Sequence, residues 1–311
     1  MSLFLPKVLA KHLTQSAIPT AHLTAIQHWQ ASINDGSLKK LGEKSAHGAF
    51  IQTFLVTLLD YTTVATHAQY SASYEMGIKK GGIVDVALGH FGKDVEPHIV
   101  APFELKGLDT PNLDAIMSGR HKTPVQQAWE YANAIKGAKW VLVSNYREIR
   151  LYAVGHGLQS YESWDVLTLD QPAEYARLRL LLSQDNLLGD TTSQLLQATE
   201  QADKDITAQL YADYKAVREQ LIAHLINDNP SESPTELIAP AQKLLDRVLF
   251  VAFAEDRGLI PDNSIKNAYL HADPYIAPPA CLPSFPVWKV IVLPPTESDL
   301  SSISCFTMEP P

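Results

Sequence analysis

Cysteine is nearly absent from this 311-residue sequence, which excludes a fold held together by disulfides. The only two cysteines, Cys281 and Cys305, both lie in the stretch 276–311. Two cysteines build neither a disulfide framework nor a zinc site by themselves. The remaining composition, with 46% hydrophobic and 19% charged residues, is typical of a globular protein, and the length allows two domains of ordinary size.

Long apolar runs are absent as well. The sequence has no apolar run behind a basic start and no stretch of roughly 18 consecutive apolar residues. It therefore predicts a soluble, cytoplasmic protein without a membrane partner, and a reducing cytosol also suits the few cysteines.

A net positive charge is the third feature that the sequence lacks. The formal net charge is −9, and duplex DNA is usually bound through Lys and Arg that neutralise phosphates, so a self-sufficient DNA binder is disfavoured. Basic residues are nevertheless grouped around two charged strands, and we predict DNA contacts from Lys79, Lys80, Arg120 and Lys122. A solvated loop face explains such a group at least as well.

Hydrophobic periodicity predicts an α/β fold, in which helices flank a small mixed sheet and an all-α part follows. A helical pattern covers 41–61, and short strands are predicted at 83–88 and 101–107. Thr123 and Pro124 open a predicted helix that Gly137 stops, and strands at 140–144 and 148–154 follow.

Composition divides the chain into four predicted segments: an N-terminal helical segment 1–39, an α/β domain 40–170, a helical domain 171–275 and a Pro-rich tail 276–311. A predicted helix at 239–257 is apolar nearly all round, so we expect neighbours to enclose it. The tail contains eight prolines, which prevent regular structure, and we expect it to be disordered.

The two charged strands carry the candidate chemistry. Asp85 lies in the first, while Glu104 and Lys106 are two residues apart in the second and therefore share one face of it. Burying such charges is costly unless a metal or partners compensate. The alternative is that these side chains lie on a solvated sheet face, because this spacing is common by chance.

Carboxylates on neighbouring strands can hold Mg²⁺, which supports phosphodiester hydrolysis. We assign Asp85 and Glu104 as metal ligands, with the backbone carbonyl of Leu105 as a third. Lys106 would orient or deprotonate the attacking water and offset charge on the phosphate. Mn²⁺ is an expected substitute for Mg²⁺.

The order Asp85, Glu104-Leu105-Lys106 and Gln127-Ala128-Trp129-Glu130-Tyr131 resembles the PD-(D/E)xK nuclease superfamily, in particular branches with a Q-x-x-x-Y helix. The resemblance implies a core of a helix, a three-stranded mixed sheet, a helix and a further strand. It places Gln127 and Tyr131 beside the active site, and it matches Glu43 to an additional acidic ligand. Val84 stands where the superfamily's name has proline.

A narrower resemblance, over about 40–275, is to single-chain type IIG restriction-modification enzymes. It is carried by Gly42–Glu43, Val84–Gly89, Phe103–Gly107, Gln127–Ala132, Val143–Tyr152 and Leu249–Leu259. The resemblance implies a nuclease domain at 40–170 and a helical connector at 171–275. The substrate would be double-stranded DNA, with a second copy of the chain for double-strand cleavage.

Full-length members of that family also carry an adenine-specific methyltransferase and a target-recognition domain. No Asn-Pro-Pro-Tyr-type motif or glycine-rich cofactor loop occurs in this sequence. We therefore expect S-adenosylmethionine to bind only the missing methyltransferase part, and we expect the tail to be a frameshift or early-stop product. Two alternatives remain: a non-catalytic remnant or DNA-associated scaffold, or a chain that bears an adenine methyltransferase name only through its full-length relatives.

Overall fold

The computed structural model describes residues 2–13, 17–78, 82–117 and 119–270, apart from the side chains of Glu43 and residues 268–270. The predicted tail at 276–311 lies outside the described residues. The chain divides into two compact units, Met1–Lys204 and Asp205–Pro311. The division falls within one long helix.

Unit 1 is built around a sheet with helices before, within and after it. The helices that precede the sheet are α1 Pro6–Leu9, α2 Thr20–Asn34, α3 Ser37–Lys40 and α4 Glu43–Phe50, which continues as a π-helix at Ile51–Leu58. The strands are β1 Gln69–Ile78, β2 Gly82–Gly92, β3 Val95–Leu105, β4 Trp140–Ser144, β5 Glu148–Ala153 and β6 Glu162–Asp165, with α5 Pro124–Ala134 between β3 and β4. A 3₁₀ turn Val166–Thr168, α6 Pro172–Leu182 and α7 Gln184–Leu187 follow.

The sheet is six-stranded and mixed, and its strands follow chain order from β1 to β6. All neighbours are antiparallel except β3 and β4, which are parallel. A parallel pair needs a crossover, and the loop after β3 together with α5 supplies it. The predicted α/β class is confirmed.

Successive side chains of β4 and β5 point to opposite faces of the sheet, and each face packs against different helices. Leu142 and Leu151 join the core with residues of α2, the π-helix and α6. Val141, Val143 and Tyr152, on the opposite face, pack against α5. The sheet is therefore covered on both sides, as the sequence pattern predicted.

Two strands have no counterpart in the sequence prediction. β1 shows no continuous buried run and is an edge strand whose only neighbouring strand in the sheet is β2, besides an isolated bridge from Ala72 to Thr63. β6 has only four residues and forms the opposite edge. β1 lacks the regular alternation that sequence periodicity detects, and the alternation of β6 extends over only four residues.

The described part of unit 2 is helical. Helix α8, Thr191–Asp228, runs into it and is followed by α9, Pro234–Asp256, and α10, Ser264–Leu270. Leu221 of α8 packs with Ala241, Leu244 and Leu245 of α9. Helix α9 starts five residues before the predicted position, because Pro234 occupies its first turn behind a Ser233–Glu236 capping box.

The expectation that neighbours enclose the apolar helix at 239–257 is wrong for the described residues. Leu249 and Phe253 of α9 are exposed, and Phe250 is 63% exposed. One stripe of α9 is buried against α8 while another stripe stays open, so its apolar character does not reflect burial on all sides.

Candidate active site

The predicted charged side chains of β2 and β3 meet where the pairing of these strands ends. The last residue pair of β2 and β3 at this end is Val86 with Phe103. Beyond it, the backbone N–H of Leu105 donates to Oδ2 of Asp85 at 2.8 Å. A carboxylate thus takes the place of a backbone acceptor, which anchors Asp85 directly beside Glu104.

Glu104 is almost entirely buried, with 1% of its surface exposed. The Nζ of Lys106, whose side chain is 14% exposed, donates to Oε1 of Glu104. The other oxygen, Oε2, is buried and has no hydrogen-bond partner among the described residues. The predicted shared face of Glu104 and Lys106 is confirmed by this contact, while the solvated sheet face that was the alternative is not what the structure contains.

Burial and, after it, the negative charge of Asp85 together raise the pKa of Glu104 to about 7, against the opposing effect of Lys106. Glu104 is therefore a buried carboxylate close enough to the half-buried Asp85 to be affected by its charge, with the ammonium of Lys106 on one of its oxygens. A positive ion bound at both carboxylates would offset both effects by stabilising the charged form of Glu104.

Helix α5 brings Gln127 and Tyr131 to the same place. They are 6% and 7% exposed, and Nε2 of Gln127 donates to the hydroxyl of Tyr131 at 2.8 Å. The i, i+4 spacing puts both on one helix face. Burial raises the pKa of Tyr131, and the charges of Glu104 and Asp85 add to the effect although Gln127 opposes it. The hydroxyl accordingly stays protonated near neutral pH.

Arg120 reaches this group from the loop between β3 and α5. Its Nη1 donates to Oε1 of Gln127 at 2.7 Å, and its positive charge lowers the pKa of Glu104. Lys106, Asn112, Met117 and Arg120 are among the residues that line an open cavity of about 430 Å³ beside this loop. The structure therefore brings Arg120 to the candidate site, as a residue that can contact a bound anion.

The loop is held in place by residues that the sequence analysis did not single out. Nδ2 of Asn145 donates to the carbonyl of Thr110 at 2.9 Å, and Nη1 of Arg150 donates to Asp114 at 2.8 Å. Arg150 is a buried cation within a buried strand. The same argument that identified Glu104, a charge inside an apolar strand, could have identified it.

Other predicted site residues lie elsewhere or outside the described part. Lys122 forms an ion pair with Glu130 of α5. Lys79 and Lys80 lie outside the described residues, and so does the side chain of Glu43, whose backbone begins α4. Leu105 is the last residue of β3, and the role of its backbone carbonyl as a metal ligand stays a prediction.

Within the described residues, no group of three or more His, Cys, Asp and Glu side chains is placed to hold a metal ion. The candidate site offers two carboxylates, Asp85 and Glu104. Mg²⁺ is commonly held by one or two carboxylates together with waters and substrate phosphates, so a pair is a sufficient donor set for it.

Comparisons with family models, curated proteins and solved structures found no match for this chain. No described helix combines the length and the apolar character needed to cross a membrane.

Proposed function

We propose that this chain is a Mg²⁺-dependent DNA endonuclease of the PD-(D/E)xK type, the front part of a type IIG restriction-modification enzyme. The observation that carries the proposal is the buried oxygen of Glu104 that has no partner among the described residues, beside Asp85 and Lys106. An unpaired buried carboxylate oxygen costs free energy unless a ligand occupies it. A divalent cation is the ligand that also relieves the repulsion from Asp85.

The order of elements supports the same proposal. A helix formed by α4 and the π-helix, the strands β1 to β3, helix α5 and strand β4 follow each other along the chain. This is the order of elements that the resemblance to PD-(D/E)xK nucleases implies, although β1 to β3 are all antiparallel and the sheet becomes mixed only where β4 joins β3. The strands β5 and β6 then extend the sheet beyond it.

Each side chain has a role that its position allows. Asp85 and Glu104 would hold the cation, and Mn²⁺ would replace Mg²⁺ there. Bound Mg²⁺ supplies positive charge to the phosphate oxygens and lowers the pKa of water. The Lys106 ammonium, beside Oε1 of Glu104, can orient the attacking water and offset phosphate charge. Hydrolysis would leave a 5′-phosphate and a 3′-hydroxyl on double-stranded DNA.

The test is Mg²⁺-dependent cleavage of plasmid DNA by the purified chain and by two near-isosteric variants, Asp85→Asn and Glu104→Gln. Each variant removes one negative charge without changing the shape of the side chain. We expect either to lower the cleavage rate by about a hundredfold or more, because the cation loses one of its two carboxylate ligands. Glu96→Gln is the matched control, since Glu96 lies on the same strand but is exposed.

Calorimetry with Mg²⁺ separates the endonuclease from a non-catalytic scaffold. The endonuclease predicts a binding heat that disappears in Asp85→Asn and Glu104→Gln and persists in Glu96→Gln. A scaffold predicts no heat that depends on Asp85 or Glu104. Undiminished cleavage in both site variants would refute the assignment of the site.

A further inference from the structure

Two histidines lie directly opposite each other in the hairpin of β2 and β3. His90 of β2 is the register partner of His98 of β3, and directly opposed residues of antiparallel strands carry their side chains on the same face of the sheet. The two rings have centroids 6.2 Å apart and planes inclined by 6°. Both residues are exposed, so an ion reaches the pair from solvent.

The separation of the two rings fits a shared metal ion. An imidazole nitrogen lies about 2.0–2.1 Å from a bound Zn²⁺ and about 1.2 Å from the centre of its own ring, so two rings on one ion have centroids at most about 6.5 Å apart. The observed 6.2 Å is within that limit. Within the described residues neither ring has a hydrogen-bond partner, and the χ2 angle of histidine is broad, so the nitrogens are free to turn toward an ion.

The main chain holds the two histidines together before any ion binds. The strands are unusually close here, since a Cβ on Gly89 would meet the carbonyl oxygen of His98. The ring of His98 also lies beside Gly137, where a Cβ would be 3.1 Å from its Cε1. Because the backbone sets the spacing of the rings, little ordering is needed when an ion binds.

We propose that His90 and His98 form a second metal site, for a divalent transition-metal ion of the class of Zn²⁺, Ni²⁺ and Cu²⁺. Imidazole suits these ions, whereas Mg²⁺ prefers oxygen ligands. Waters complete the coordination of the ion, which cross-links β2 and β3 near their turn. His90 is five residues from Asp85, or about 16 Å along the strand, so this site is separate from the carboxylates and does not rest on the proposed function.

The test is calorimetric titration of the untagged chain with Zn²⁺ in excess Mg²⁺, which competes for the carboxylates. We expect a saturable site that takes one ion per chain. His90→Asn and His98→Asn should each weaken binding by about 100-fold, because the second imidazole meets an ion that the first already holds at a high effective concentration. His67→Asn is the matched control, since His67 is also exposed but its ring is bonded to Thr66.

Spectra of the chain with ¹⁵N-labelled histidine show which rings bind the ion. The ring nitrogens of His90 and His98 should shift together as Zn²⁺ is added, while those of His67 stay in place. Ni²⁺ should compete with Zn²⁺ for the site, and Mg²⁺ should not. Zn²⁺ binding that persists undiminished in either asparagine variant, a shift of one ring alone, or no saturable binding by the wild type would overturn the proposal. None of these measurements depends on DNA cleavage.

Discussion

At the scale of the residue, Glu104 is the side chain on which the candidate site depends most. Alternation along β3 was sufficient to predict that Glu104 and Lys106 share a face, because alternation is a local property of an extended chain. The nearly complete burial of Glu104 depends on α5 and on the neighbouring strands. The sequence could not supply that burial, nor the bond from Leu105 to Asp85.

The raised pKa of Glu104 predicts a pH-dependent stability. In the folded chain its pKa is about 7, above the value of about 4.3 in an unfolded chain. The folded state therefore binds this proton more tightly. The contribution of Glu104 to stability is fully present below about pH 4 and is lost as the pH rises through 7, by on the order of 3 kcal/mol.

Urea unfolding at pH 5 and pH 8 measures this effect. Glu104→Gln should be more stable than the wild type at pH 8 and closer to it at pH 5, whereas Glu96→Gln should follow the wild type at both. Addition of Mg²⁺ at pH 8 should stabilise the wild type and not Glu104→Gln. Parallel pH profiles for wild type and Glu104→Gln would contradict the burial of a titrating carboxylate.

At the scale of the element, the hairpin of β2 and β3 positions the site. Both strands are longer than the sequence predicted, and they run to a turn at Lys93 and Asp94. The register shifts between Leu88 and Gly89, where the strands come unusually close. A Cβ on Gly89 would lie 2.0 Å from the carbonyl oxygen of His98.

Gly89→Ala should therefore destabilise the hairpin by about 1–3 kcal/mol, since the opposing backbone must move. Gly77→Ala in β1 is the matched control, because a Cβ there meets nothing within 4 Å. Chemical denaturation of both variants measures the difference. Equal stability of the two variants would show that β2 and β3 are further apart at Gly89.

At the scale of the whole molecule, the core into which a helix packs shows which unit the helix belongs to. Sequence composition does not reveal this. Leu178, Leu181 and Leu182 of α6 belong to the same core as Phe54 and Leu142. Helix α6 is thus part of unit 1, although composition changes before it. Unit 2 has a small core of its own between α8 and α9.

Because each unit has a core of its own, a cavity-forming substitution in one core should lower amide protection in that unit only. Hydrogen exchange with mass spectrometry measures this protection. Phe54→Ala should destabilise unit 1 by about 3–5 kcal/mol and lower protection in the sheet. Leu244→Ala should lower protection in α9 and leave the sheet unchanged. Leu249→Ala is the control for the latter, since Leu249 is exposed. Loss of protection across both units in Leu244→Ala would show a single cooperative core.

By itself, the sequence determined the α/β class, the helix that Thr123 caps, the strands β4 and β5, and the shared face of Glu104 and Lys106. These features follow from periodicity, capping and turn chemistry, which act between residues close in the chain. Only the tertiary structure decided the edge strands, the burial of Glu104, the open face of α9, and the chain of hydrogen bonds from Arg120 through Gln127 to Tyr131. Those features depend on contacts between residues that are far apart in the chain, which decide where water is excluded. A local sequence pattern does not contain this information.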